Sequence, residues 1–201
     1  MSIVQNFFEE TLDENGCLKD IAVHWPENFN FGYDVVDAIA QETPDKRALV
    51  WCNTENEEHI FTFGDIREQS SRAACALLKA GVKRGDRVML ALKRHYEYWF
   101  ISIALHKIGA VMIPVTHMLT TEDFIYRIRS AKVKAVICTP MDEVPEKVKA
   151  AVEELNADCL LWTVKETVPG FENFSEACRT ASPELERPET KANDHMVRYF
   201  T

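Results

Sequence analysis

Four apolar runs recur along this chain at nearly constant intervals, and the interval constrains the fold more tightly than any other feature. They begin near residues 87, 110, 133 and 158, at spacings of 23, 23 and 25. A strand, a crossover helix and two turns together need about that much chain. Helical patterns fill the gaps at 96–108, 121–131 and 143–155. Gly109 is placed to stop the first of these, Thr120 with Asp123 to cap the second, and Pro145 falls in the first turn of the third. The pattern predicts an α/β fold: a doubly wound, mostly parallel sheet with flanking helices and right-handed crossovers. The segments share a period and not residues, so the chain is not a sequence repeat.

Upstream, Thr62 and Asp65 form a capping-box pair opening a helix. Ile66, Ala73 and Leu77, with Ala74 and Leu78, recur along it, and Gly81 is placed to end it in the left-handed conformation. Apolar runs at 47–52 and 58–63 flank a polar turn and predict a strand pair. A helix is expected at 33–42, stopped before Pro44. Before it, periodicity is weak, and Asn28 to Phe31 reads as an aromatic anchor rather than an element. Residues 164–192 carry Pro169-Gly170, Pro183 and Pro188 and read as a short helix in a long loop. Another apolar strand begins at Met196. The expected organisation is an extension with the first helix at 1–46, an α/β layer with its initial hairpin at 47–163, a loop-rich segment at 164–192, and the start of a strand at 193–201. One face of the 87–163 layer is expected to lack cover, leaving apolar surface open to self-association.

Lys plus Arg number 23 against 32 Asp plus Glu, a net charge of -9. Such a chain repels a phosphate backbone, which argues against nucleic acid as the main partner. Residues 141–190 hold twelve acidic and five basic residues, a net of -7, and read as a solvated acidic face because apolar residues are interleaved. The six cysteines lie far apart with no Cys-x-x-Cys pair, so neither zinc nor a disulfide framework is indicated. Cys52, Cys75, Cys138 and Cys159 lie in apolar segments and are expected to be small buried hydrophobes. Together with an N-terminus that has early acids and no basic stretch or long apolar run, this leads to an expected reducing cytoplasm. The apolar stretch from Tyr98 to Leu105 is too short to cross a membrane.

Chemistry is sparse on the page. There is no Gly-x-Gly-x-x-Gly, no Gly-Lys-Ser/Thr phosphate cradle and no Gly-x-Ser-x-Gly elbow. The six histidines are scattered, and His106 reads as a packed or surface residue. Lys93-Arg94-His95 follows a strand end, where α/β ligand crevices form, although a solvated turn is the plainer reading. From the residues alone come a fold class and no mechanism.

Three stretches, taken together, carry a resemblance. Phe61-Thr62-Phe63-Gly64-Asp65-Ile66 leads through Ala80-Gly81-Val82 to Arg84-Gly85-Asp86-Arg87-Val88. His106-Lys107-Ile108-Gly109-Ala110 runs on to Pro114, and Arg198-Tyr199-Phe200-Thr201 closes the chain. In this order and at these separations they resemble the N-terminal part of the AMP-forming acyl-CoA synthetases, within the adenylate-forming superfamily. Phe29-Asn30-Phe31, Trp51, Glu97-Tyr98-Trp99 and Thr120 to Ile128 are most similar to the short- and medium-chain branch.

The resemblance implies a ligase that joins a short- or medium-chain carboxylic acid to CoA, with ATP cleaved to AMP and pyrophosphate. Its substrates and cofactors would be ATP, Mg2+, CoA and the acid. It implies that Thr201 opens the loop holding the ATP phosphates, and that the loop Thr116 to Thr120 lies near CoA or the nucleotide through His117 and Met118. Some relatives carry Gly-Gly or Gln there, so this pair is a departure. The family's glycine-rich loop, its later Thr-Glu segment, its ribose-binding Asp and its C-terminal Lys have no counterpart within residues 1–201. The expectation is therefore an N-terminal fragment, inactive alone, holding none of these ligands tightly. A truncated non-enzymatic binding or dimerisation module, or an adenylating enzyme with another acceptor thiol, are the alternatives.

Overall fold

A computed structural model describes residues 3–200. Five strands pair in parallel: β5 (Arg87–Ala91), β6 (Val111–Pro114), β7 (Ala135–Cys138), β8 (Leu160–Thr163) and the short β9 (Glu172–Asn173). Their spatial order is β6-β5-β7-β8-β9. Strands β1 (Phe8–Leu12) with β2 (Leu18–Val23), and β3 (Arg47–Cys52) with β4 (Glu58–Thr62), form two separate antiparallel hairpins. The helices are α1 (Ala38–Glu42), α2 (Phe63–Lys79), α3 (Glu97–Ile108), α4 (Thr121–Ala131), α5 (Val144–Leu155) and α6 (Phe174–Thr180). A π-turn over Gly32–Asp37 leads into α1, so the expected helix at 33–42 is present but changes pitch midway.

The sheet is a sandwich filling because its strands are apolar on both faces. Val88, Leu90, Ala135 and Ile137 point to a core shared with α2, α3 and α6. Met89, Ala91, Val136 and Cys138 point the other way, against α4 and α5. Crossovers of one hand place helices on opposite faces when the chain reverses direction across the sheet, which is why α3 and α4 separate. The expectation that one sheet face would lie bare is thus corrected, because helices cover both.

Local signals act as read. Thr62 Oγ1 accepts the Asp65 N–H at 3.1 Å while the Asp65 carboxylate accepts the Thr62 N–H at 2.8 Å. Thr120 and Asp123 repeat the exchange at 3.2 Å each way. Gly109 sits at φ +67°, the left-handed stop that a side chain resists.

Other readings change. Residues before the first helix do form an element, the β1–β2 hairpin, turned at Asn15-Gly16 with the Asp13 carboxylate accepting the Asn15 and Cys17 N–H groups. Its strands show no period-two burial because all but Phe8 are exposed. The strand expected at Met196 reaches only an isolated parallel bridge, Val197 beside Met112 on the β6 edge. Cys138 is buried, but Cys52 is exposed and Cys75 and Cys159 are half-buried. An outward position on an edge hairpin defeats an inference drawn from neighbouring apolar residues.

Candidate functional site

The strand order places a topological switch between β5 and β7. From β5 the chain steps to β6 on one side, then returns through α4 to β7 on the other. The loops leaving β5 and β7 therefore part at their carboxyl ends, opening a crevice where open α/β sheets take ligands. A hollow of about 960 Å³ lies at the opposite, amino-terminal strand ends beside Arg84 and Lys132, but no reversal of the strand order creates it.

Three loops furnish the crevice: residues 92–96 after β5, 115–120 after β6 and 139–143 after β7. The Lys93 ammonium meets the Asp142 carboxylate at 2.8 Å, bridging the switch. Lys93 beside it holds the exposed Asp142 carboxyl below its ordinary range. His117 Nε2 stands 4.0 Å from the same carboxylate, too far for a hydrogen bond but close enough to feel the charge. His95 is buried, its Nε2 3.0 Å from Thr139 Oγ1. Burial first, then the nearby Lys165 and Lys93 ammonium groups, push its pKa down to about 4, so it is neutral at pH 7. The plainer reading of Lys93-Arg94-His95 as a solvated turn therefore fails at His95.

Backbone strain gathers at the same edge. Among the described residues, seven non-glycines have positive φ. Lys132 and Asn156 end helices, and Asn56 turns a hairpin, all conventional uses. The remaining four, Arg94, Asp142, Glu143 and Lys165, all follow the carboxyl ends of β5, β7 and β8. Left-handed non-glycine residues cost free energy and concentrate at sites whose surroundings over-determine them.

The structure brings His117 of the expected pair to the crevice beside Asp142. Met118 follows it at 74% exposure, its N–H donated to Thr116 Oγ1 at 3.2 Å, and contributes an open apolar surface. Thr201 lies outside the described residues. Sequence reasoning missed Asp142, Thr139 and Lys165. Only the strand order makes Asp142 a partner of Lys93, 49 residues away. Chemically, Lys93 and His117 place an ammonium and an N–H donor around the Asp142 carboxylate, an arrangement suited to an anionic group such as a phosphate.

Lys107 belongs elsewhere. It is fully buried, with Asp37 at 2.8 Å, Ser71 Oγ at 3.0 Å and the Arg67 carbonyl at 3.4 Å. This lysine ties α3 to the turn before α1 and to α2, on the far side of the molecule's chemistry.

A family described as AMP-binding enzyme matches residues 36–201. The rat protein named acyl-coenzyme A synthetase ACSM5, mitochondrial, is 37% identical over 187 residues, covering 88% of this chain and 31% of its own. The mouse ACSM4 protein, also named mitochondrial, is 33% identical over 202 residues, covering 95% and 34%. The chain thus spans about a third of the length of the curated relatives it matches. Among solved structures, a long-chain-fatty-acid-CoA ligase (FadD1) from Archaeoglobus fulgidus superposes with a TM-score of 0.77 at 18% identity, over 90% of this chain and 35% of that one. A Brucella canis acyl-CoA synthetase gives 0.73 at 23%, over 86% and 31%. These two share the fold. Both curated relatives are named mitochondrial, which overturns the expected cytoplasmic location. Free thiols mark a reducing environment and do not distinguish one such compartment from another, which is why the cysteines misled.

Proposed function

Because the chain belongs to the AMP-binding enzyme family, matched over residues 36–201, we propose that it forms the N-terminal scaffold of an AMP-forming acyl-CoA ligase. The acid would be short- or medium-chain. In the first half-reaction its carboxylate oxygen attacks the ATP α-phosphorus, and pyrophosphate leaves. In the second, the CoA sulfur attacks the acyl carbon and AMP leaves with the bonding electron pair. Both halves depend on holding and neutralising phosphates, so they call for cations and N–H donors in fixed positions.

The crevice at the β5–β7 switch is the part of that machinery this chain supplies. Its role would be to bind a phosphate-bearing portion of CoA, with Lys93 and His117 as donors and Met118 as an apolar surface for the uncharged arm. The observation that carries this reading is the Lys93–Asp142–His117 cluster, with Arg94, Asp142 and Glu143 left-handed at the sheet's switch point. Thr201 would open the loop that holds the ATP phosphates, a reading supported by the resemblance of Arg198-Tyr199-Phe200-Thr201 to the family's strand end. Mg2+ would arrive with ATP, and no group of three His, Cys, Asp or Glu side chains fit to hold it is found among the described residues.

Carboxylate-dependent exchange of labelled pyrophosphate into ATP tests the activity. It is run on residues 1–201 and on any longer product of the same reading frame. Exchange is expected from the longer product with short or medium acids and none from 1–201. Exchange by 1–201 alone refutes the scaffold role, and a longer product inert with every such acid refutes the ligase reading. Calorimetric titration of that product with CoA tests the crevice: Lys93→Ala and His117→Ala are expected to weaken binding by about tenfold each, the loss of one charge-assisted contact.

A further inference from the structure

A groove of about 400 Å³ runs between α2, α3 and α6 and shares Tyr96 with the loop after β5. Its lining combines aromatic faces with charges. Tyr96 and Phe100 come from the start of α3 and Phe174 from α6. The charged members are Glu68, Arg72, Glu97 and Arg179. Three of the four are spent. Arg72 Nε pairs with the Glu68 carboxylate at 3.0 Å, and another of its N–H groups is donated to the Ala181 carbonyl at 2.6 Å. Arg179 grips Glu176 with two hydrogen bonds, at 2.9 and 2.6 Å.

Glu97 is different. Among the described residues its Oε2 is buried and accepts no hydrogen bond. A buried carboxylate oxygen without a partner is costly, and the start of a helix compensates only part of that cost. Burial raises the Glu97 pKa, opposed weakly by its own backbone N–H and by the Lys165 and His59 charges. Glu97 lines the groove, and the terminal torsion of a glutamate is broad, so rotation about it can turn the carboxylate toward the groove.

The neighbourhood already shows which charge it favours. On the other side of Tyr96, the Lys165 ammonium rests 4.9 Å from the Tyr96 ring centroid and 5.4 Å from that of Trp51. Ring faces attract cations through their quadrupole, most strongly where water is partly excluded. A groove walled by Tyr96, Phe100 and Phe174, and lined by the unpaired Glu97, repeats that chemistry, while its own cations Arg72 and Arg179 are held by Glu68 and Glu176.

We propose that the α2–α3–α6 groove is a binding site for a primary organic ammonium ion, anchored by Glu97 and seated against Tyr96, Phe100 and Phe174. The alkyl part of the ligand covers the rings, and the ammonium donates to Glu97 Oε2.

Nitrogen-15-labelled protein titrated with n-butylammonium chloride tests this, with n-butanol as the uncharged match. Saturable shifts are expected at the amides of Glu97, Phe174 and Cys178 with a Kd of roughly millimolar size, and none with butanol. Glu97→Gln keeps the shape and is expected to weaken the ammonium by about tenfold. Equal binding of the alcohol, undiminished binding by Glu97→Gln, or no saturable shift in the unaltered protein would each overturn the assignment. Should Glu97→Gln fail to fold, the ammonium–alcohol comparison on the unaltered protein decides alone.

Discussion

Neutralising Asp37 should unfold this protein more readily than almost any other single polar change. Lys107 is fully buried, and its ammonium lies 2.8 Å from Asp37 Oδ1, with Asp37 itself 16% exposed. At that distance two unit charges attract by about 6 kcal/mol in a medium of effective dielectric 20. Desolvating the two ions costs several kcal/mol each, so the intact pair is close to neutral for stability. The contact is close but poorly aligned, since Oδ1 accepts no well-directed hydrogen bond. Burial pulls the Lys107 pKa down and the Asp37 pKa up, both toward the uncharged forms, which fits desolvation outweighing attraction.

Breaking the pair from one side is another matter. In Asp37→Asn the ammonium keeps Ser71 Oγ, the Arg67 carbonyl and the Tyr33 ring at 5.5 Å but loses its counter-charge, and the expected loss is about 3–5 kcal/mol. With a urea dependence of roughly 2–3 kcal/mol per molar, the midpoint falls by about 1–2 M. Lys107→Met keeps the aliphatic stem that fills the space against Gly32, where a Cβ would stand 2.7 Å from Lys107 Cγ. The double variant should return to within about 1 kcal/mol of the starting protein, because no uncompensated charge remains. Urea denaturation of all four proteins gives the cycle. A cost below about 1 kcal/mol for Asp37→Asn, or single effects that simply add, would refute the account.

Three further outcomes are expected. His106 has both ring nitrogens buried and unpaired, and burial lowers its pKa to about 4. The folded form then binds fewer protons than the unfolded chain between pH 6.5 and 4, so stability is full above that window and falls through it, by at most about 3 kcal/mol. His106→Phe should flatten the difference between urea midpoints at pH 7 and 4.5, and an unchanged slope counts against burial as its cause. Thr62→Ala and Thr120→Ala each remove a capping box and should cost about 1 kcal/mol in the same denaturation assay, with no loss at either position contradicting the cap assignment. Leu12, Leu18, Ile21 and Trp25 stand exposed on and beside the β1–β2 hairpin, and two strands alone are marginally stable in water. Sedimentation is expected to show concentration-dependent association that Leu18→Lys with Trp25→Lys reduces, whereas a monomer at every concentration would refute it.

Much of the scaffold was legible along the chain because its causes are local. Val88, Met89, Leu90 and Ala91 read as a strand buried on both faces, and they are. Capping boxes act within three residues, and a left-handed glycine acts on its own turn, so Thr62, Thr120 and Gly109 were decisive without any knowledge of neighbours. The β1–β2 hairpin escaped because strands exposed on both faces leave no alternation, and its Asn15-Gly16 turn was the one signal present. Half of the candidate site was visible in Lys93 and His117, and the other half was not. Asp142 and Thr139 are ordinary residues in sequence and become partners only when β7 lies beside β5.

The residues by themselves therefore determined the elements of residues 47–163, their caps and the parallel crossover architecture, since periodicity and turn chemistry are properties of a short stretch of chain. Only the tertiary structure decided the rest. It set the order β6-β5-β7, joined Lys93 to Asp142 across the switch, sank His95 against Thr139, and closed Lys107 over Asp37. The physical reason is common to all four. Strand neighbours are selected by packing both sheet faces at once, and a side chain's charge, burial and partner follow from that packing rather than from the residues on either side of it.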